Sequence, residues 1–416
     1  MRFSIRSRVS IALSLLIIVS GALALLITTR PAVHAAGQAS TPSSNITARP
    51  LVQRNWPQYN FDASHTGNNP YEKVLTPSNV SSLVLDWSYS AGSLGGFTSP
   101  PTVANGMLYV YGPNYTLYAL DAATGTLKWS YYTGTAANTA PAVANGMVYA
   151  AGLGISALDA MTGTLKWSFS VSNALINASP TIAGSLLYVN TAVGLYALDA
   201  MTGAIKWSYA RTLSSTSSSP AVANGVVYVG LYDTGEADNM YAFDALTGAL
   251  KWHYVTGFSN CCISSATVAN GVVYFGVVDY TTAENTRGML FALDAATGTL
   301  KWSKTVDCSE FEAPVIANGI LYLGTVNPKK LEAFDALTGK LKWGYRAGSS
   351  ISFSPAVANG VVYFTSGNNT TYALEATTGT LKWSYPAGYG SPIIVNGIVY
   401  IGYDKLYAFH LPSTTP

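Results

Sequence analysis

The stretch Leu117–Tyr131, "LYALDAATGTLKWSY", recurs with small changes down the 416-residue chain, and its repetition decides the fold. Its copies carry Trp129, Trp167, Trp207, Trp252, Trp302, Trp343 and Trp383; "LVLDWSY" at 83–89 repeats the ending around Trp87 without the preceding turn. Successive tryptophans lie 38 to 50 residues apart, in or near the period of four-stranded propeller blades. Each unit reads as four short strands. In the unit before Trp252, "SPAVA" meets the hairpin Asn224-Gly225, returns as "VVYVG", continues as "MYAFD" and turns through "DALTG" into "ALKW". Asn-Gly between apolar alternations is a strong hairpin signal, and an Asp followed by Thr-Gly suits a tight turn. The tryptophan is expected to end the outer strand and fill the wedge between neighbouring sheets.

Two further patterns agree. Pro101, Pro141, Pro180, Pro220, Pro314, Pro355 and Pro392 sit early in the first strand of a unit, as suits an inner edge strand facing a central channel. Eight hairpins precede eight "LYAL"-type strands, and the last, "LYAFH" at 406–410, has no outer strand after it. Residues 83–89 supply one. The expectation is an all-β, eight-bladed propeller of four-stranded antiparallel blades over 55–411, closed by pairing of the chain ends, with a tail at 412–416.

The motif A-x-D-x-x-T-G-x-x-x-W is complete from Ala119 to Trp129 and in the copies ending at Trp167, Trp207, Trp252, Trp302 and Trp343; the Trp383 copy carries Glu375 for the Asp. It resembles the tryptophan-docking motif of pyrroloquinoline quinone (PQQ) repeat propellers, and "NWPQYNFDASHTGNNP" (55–70) resembles the segment preceding the propeller in that family. The resemblance implies the quinoprotein alcohol dehydrogenase-like fold. For function it implies either a non-catalytic scaffold or a quinone-dependent enzyme using PQQ and Ca²⁺.

The N-terminus reads as an export signal. Arg2, Arg6 and Arg8 precede an apolar run from Val9 to about Ile27, and Val33 and Ala35 offer a small-residue cleavage site at the end of 1–35. The run, about 19 residues, is also long enough to stay in a bilayer as an anchor. Residues 36–54 read as a flexible spacer. The formal charge of +2 becomes −2 without residues 1–35, which offers no footprint for nucleic acid. The expected location is extracellular, periplasmic or envelope-associated, the expected state a monomer, and membrane contact runs only through an uncleaved N-terminal segment.

Strand order places the Asn-Gly and Asp-Ala-x-Thr-Gly turns on one face and the longer loops on the other. Of 20 acidic residues, seven are turn positions, and eight fall in three loops of blades 4 to 6. These are Asp233, Glu236 and Asp238; Asp279 and Glu284; and Asp307, Glu310 and Glu312. Two readings stand: a solvated acidic rim on long loops, which the lack of any EF-hand-like spacing favours, or, with Asn239 and Asn285, a Ca²⁺ site whose leading candidate ligands are Asp233, Glu236, Asp238, Asn239, Glu284 and Asn285. The same sector holds Cys261, Cys262 and Cys308. Either vicinal thiol bonded to Cys308 across neighbouring blades, free thiols, and a Cys261–Cys262 bond are the three readings; the last needs Cα atoms closer than a disulfide ordinarily spans. Resemblance to quinone-dependent alcohol dehydrogenases favours the vicinal bond, and in such an enzyme Asp279 or Asp307 would be the base.

Against catalysis, the residues opening the inner strands are Pro100, Ala140, Ser179, Ser219, Ser265, Ala313, Ser354 and Ser391, none of them charged. No haem-attachment or phosphate-loop motif occurs, and His65, His253 and His410 show no metal spacing. The residues themselves demand no cofactor. The leading expectation is a binding scaffold for a protein or cell-envelope polymer, acting through the loop face of blades 4 to 6; the alternative is a small PQQ- and Ca²⁺-dependent alcohol dehydrogenase.

Overall fold

The computed structural model describes residues 55–412 except 93–95, 98, 136–138, 172–175, 212–217, 233–237, 259–260, 280–286 and 307–311. Eight antiparallel sheets follow one another in chain order. Blade 1 begins with the inner strand Thr102–Ala104 and blade 8 with Ile393–Val395; blade 8 takes Val84–Tyr89 as its outer strand, paired antiparallel with Leu406–His410. Among the described residues no helix is long and apolar enough to cross a membrane.

The hairpins form because Asn-Gly tolerates two successive positive φ values, as at Asn224 (50°) and Gly225 (74°). The second turn folds back on the first: Ala245 N–H donates to the Gly225 carbonyl at 2.9 Å, and this bond recurs in blades 1 to 7. The turn acid accepts bonds from the following backbone, as Asp244 does from the Leu246 and Thr247 N–H groups. Each outer strand then bulges one residue before its tryptophan, so that Ala242 opposes Trp252 while Phe243 opposes Leu250. The bulged residue is a lysine that reaches the turn acid at 2.9 to 3.8 Å in seven blades. In blade 8 the pair is reversed, with Asp86 at the bulge and His410 opposite at 3.7 Å.

The core lies between blades, in clusters each shared by neighbouring sheets. The tryptophan sits within the outer strand, not at its end: Trp252 is the third residue of Leu250–Val255. Its indole N–H donates to the Ala295 carbonyl of the next blade at 3.1 Å, and the Tyr228 hydroxyl donates to the same oxygen at 3.0 Å. The turn glycine Gly298 lies flat against the Trp252 ring, leaving no room for a side chain. Equivalent Tyr–Trp pairs converge on Ala160, Ala200, Ala245, Ala336 and Ala376. Blade 8 has no such turn, and the Tyr363 hydroxyl of blade 7 is correspondingly left without a partner among the described residues.

Candidate functional site

A propeller's axial channel is where a ligand would be enclosed, because every inner strand presents an unpaired edge there. In this chain those edges are paired, by residues 56–69. Trp56 exchanges backbone bonds with Val103 of blade 1 at 2.7 and 2.9 Å, and the Pro57 carbonyl accepts from Val143 of blade 2 at 2.8 Å. In blade 3 a side chain substitutes for backbone: Gln58 Oε1 accepts from Ile182 N–H at 2.9 Å and Nε2 donates to the Ile182 carbonyl at 3.3 Å. The carbonyls of Ala63, Ser64, Thr66 and Gly67 then accept from Val222, Val268, Ile316 and Val357 of blades 4 to 7. Asn69 Nδ2 completes the circuit at the Ile394 carbonyl of blade 8, at 2.8 Å. Sequence reading leaves the inner edge facing an open channel; the structure corrects this, since the lead-in segment forms the channel's filling. The prolines fit the arrangement. Each lies two residues before the bonded position and so withdraws no donor that the segment uses.

The segment bends tightly enough to place Asn60, Phe61 and His65 at positive φ. Tyr59 and His65 occupy the axis edge to face, with ring centroids 5.2 Å apart. His65 is fully enclosed; its Nδ1 lies 3.2 Å from the Ala266 carbonyl and its Nε2 3.1 Å from Thr181 Oγ1. Burial pushes its pKa down to about 4, so the ring is neutral at ordinary pH. The Tyr59 hydroxyl lies 3.2 Å from Ser354 Oγ and 3.5 Å from Glu312 Oε2, and burial with the Glu312 charge raises its pKa well above the ordinary tyrosine value. Glu312 corrects the uncharged mouth expected from sequence: the residue before Ala313 brings a carboxylate to the axis.

Around the mouth the small residues lace the blades together. Ala140 N–H donates to Ser179 Oγ, Ser179 N–H to Ser219 Oγ and Ser219 N–H to Ser265 Oγ, all at 2.8 to 2.9 Å. Each of these hydroxyl oxygens thus accepts from the backbone of the preceding blade.

The loop sector of blades 4 to 6 departs most from the repeat. The blade 4–5 connection is not simply loop: Cys261–Ile263 forms an additional strand, with Cys261 opposite Asp279 and Ile263 opposite Val277 on an extended second strand. Ile263 packs on Gly230 of blade 4. Cys262 is exposed. Asp238 and Asn239 begin the strand Asp238–Asp244, and Asn239 is 1% exposed, its Oδ1 buried without a hydrogen-bond partner among the described residues. The backbone therefore brings Asp279 beside Cys261, one blade from Asn239. Asp233, Glu236, Glu284, Asn285, Asp307 and Cys308 lie outside the described residues, as do the disulfide alternatives involving Cys308. Among the described residues no three His, Cys, Asp or Glu side chains converge as a metal site.

The described residues at the axis do not fit a quinone cofactor. PQQ is a flat tricarboxylate and needs a slot and compensating cations; Tyr59 and His65 fill the axis, the ring residues are Ser, Ala and Pro, and the Glu312 carboxylate beside Tyr59 opposes an anion.

Comparison with known proteins places the chain. The family model described as outer membrane protein assembly factor BamB matches residues 78–210, 154–310, 263–352 and 287–411. The curated 1-butanol dehydrogenase (cytochrome c) of Thauera butanivorans is 34% identical over 76 residues, covering 18% of this chain and 11% of that one. The quinohemoprotein alcohol dehydrogenase of Comamonas testosteroni is 30% identical over 112 residues, covering 27% and 16%. The chain thus spans less than a fifth of the length of these relatives. Among solved structures, the quinohemoprotein alcohol dehydrogenase ADHIIG of Pseudomonas putida HK5 superposes with a TM-score of 0.68 at 17% identity, over 87% of this chain and 81% of that one. BamB from Moraxella catarrhalis superposes at 0.61 and 16% identity, over 79% and 99%. These identities speak for the fold alone. With continuous family matches from residue 78 to 411 and the Trp-docked blades in place, the chain belongs to the PQQ-repeat β-propeller family described by BamB.

Proposed function

We propose that the protein is an exported, non-catalytic binding module that presents the loop face of blades 4 to 6 to a protein or a cell-envelope polymer. The observation that carries this reading is the filled axis. The position where a propeller encloses a small ligand holds residues 56–69, hydrogen-bonded to all eight inner strands. A module without an enclosed chamber acts through its rim, and the rim is specialised where blade 5 gains a strand and blade 4 buries Asn239. Kinship with a family described as an assembly factor supports a protein partner, and the envelope association of that description supports export.

The alternative is a small PQQ- and Ca²⁺-dependent alcohol dehydrogenase with Asp279 or Asp307 as base. Local identity to alcohol dehydrogenases speaks for it, and the occupied axis against it. One experiment separates the two. The full chain is incubated with PQQ and Ca²⁺, gel-filtered, and given primary alcohols with an artificial electron acceptor; a photo-crosslinking residue at 262 is activated in the producing cells in parallel. The binding reading expects no retained quinone absorbance, no dye reduction, and a discrete adduct from position 262 that a crosslinker at exposed Leu381 does not give. Retained quinone with dye reduction, or equal adducts from both positions, overturns it.

A further inference from the structure

The opposite face, formed by the turns, carries its own pattern. The third residue of each Asp-Ala-x-Thr-Gly turn points outward, and in blades 2, 3, 4 and 6 it is Met161, Met201, Leu246 and Leu337, from 57% to 80% exposed. Blades 7 and 8 are covered: the Leu75 carbonyl accepts from Asn359 Nδ2, and Val74 packs on Gly397. The bare arc from blade 2 to blade 6 therefore displays exposed large aliphatic tips on four of its five turns. The turn acids around it are paired with lysines, so the face repels neither anionic nor zwitterionic surfaces.

The chain also meets this face. Asn55 Oδ1 accepts from Asn105 N–H of the blade 1 hairpin at 3.0 Å, immediately before Trp56 turns into the channel. Upstream in sequence lie a spacer and the arginine-flanked apolar run Val9 to about Ile27, long enough to span a bilayer. The 27 residues from 28 to 54 can reach at most about 90 Å, which keeps a domain tethered by the apolar run within reach of the surface.

We propose that the turn face rests on the lipid bilayer that the N-terminal apolar run enters. The occupant of the aliphatic arc is the interfacial layer of that bilayer. Met161, Met201, Leu246 and Leu337 insert there, the lysine stems beside them lie along the boundary, and the loop face of blades 4 to 6 points away from the membrane.

Methionine oxidation reads this directly, because Met161 and Met201 are exposed while Met107, Met147 and Met240 are buried. The full chain is reconstituted in vesicles of equal parts phosphatidylcholine and phosphatidylglycerol and treated with hydrogen peroxide, with the peptide Ala-Met-Thr-Gly in the same suspension as the freely exposed reference. Sulfoxide formation at Met161 and Met201 is expected to run about fivefold or more slower than in the peptide. In a Leu246→Ser/Leu337→Ser variant, whose changes lie on exposed turns, it should return to within about twofold of the peptide. Peptide-like rates in the parent chain overturn the proposal, as does protection that the variant leaves intact. Equal protection in detergent micelles, rising with protein concentration and accompanied by a dimer, assigns the arc to a second copy and overturns it too. None of these outcomes depends on what the loop face binds, so failure here and failure of the binding reading are told apart.

Discussion

Replacing Gln58 by leucine isolates the contribution of the axial segment, because Gln58 meets blade 3 through its side chain, with two bonds to one residue. The substitution nearly conserves volume and removes both bonds to Ile182, leaving that residue's N–H and C=O without partners beside a buried glutamine site that is 5% exposed. Each unmet buried backbone group costs about 1–3 kcal/mol, so the variant should lose about 2–6 kcal/mol. With an unfolding entropy of about 2.1 cal/mol/K per residue, a domain of this size shifts by about 1.3 °C per kcal/mol, and the expected fall in melting temperature is about 3–8 °C. Differential scanning calorimetry measures the shift, and guanidinium unfolding checks that the slope with denaturant is unchanged. A variant melting within about 1 °C of the parent would refute the assignment, since it would mean that blade 3 keeps its inner edge satisfied without residue 58.

Three further outcomes follow from the same geometry. His65 is neutral and buried with a pKa near 4, against about 6.5 in the unfolded chain, so the unfolded state binds the extra proton between these values. The stabilisation is whole above about pH 6.5 and is lost as pH falls toward 4, by about 3 kcal/mol in total; urea midpoints should fall across that window in the parent chain and much less in His65→Asn. Tyr228→Phe and Trp252→Phe each leave the Ala295 carbonyl one donor, whereas the double variant leaves it none; the double should be destabilised beyond the sum of the singles by about 1 kcal/mol or more in denaturant unfolding. Gly248 and Gly225 share φ near +73°, but a side chain at 248 meets the Trp207 ring at 2.6 Å while 225 is open; Gly248→Ala should therefore cost about 2 kcal/mol more than Gly225→Ala, and equal midpoints would contradict the docking of turn on tryptophan.

The propeller was legible because its signals are local. Asn224-Gly225, the Asp244 turn and Trp252 each specify a conformation within a few residues, and their repetition leaves few alternatives. The outer strand runs on two or more residues past its tryptophan, which the sequence does not signal, because strand ends carry weaker signals than turns and the lysine bulge shifts the register just before it. The axial filling was not legible. Its bonds run from residues 56–69 to partners up to 325 positions away, mostly through backbone atoms that every residue type carries. The lead-in stretch resembled a family segment, but nothing in its spelling says that it circles the channel. Gln58, Tyr59, His65 and Asn69 offered the one usable signal, an unusual density of polar and aromatic side chains for a spacer-like stretch. In sequence Glu312 belongs with the acidic loops; its axial place depends on Tyr59, 253 positions away, whose hydroxyl lies 3.5 Å from Oε2. The extra strand at Cys261–Ile263 has no sequence signature, because three residues flanked by polar loop carry no periodicity.

The central claim, that the protein closes its own channel, is tested most directly by amide hydrogen exchange along the inner strands. The N–H groups of Val143, Val222, Val268, Ile316 and Val357 point to the axis and are bonded to the segment 57–67. They should exchange as slowly as the mid-sheet amides of the second strands, and in Gln58→Leu the blade 3 amide of Ile182 should accelerate first. Inner-strand amides that exchange at the rate of exposed sheet edges would contradict a filled axis and restore the channel as a place for a ligand.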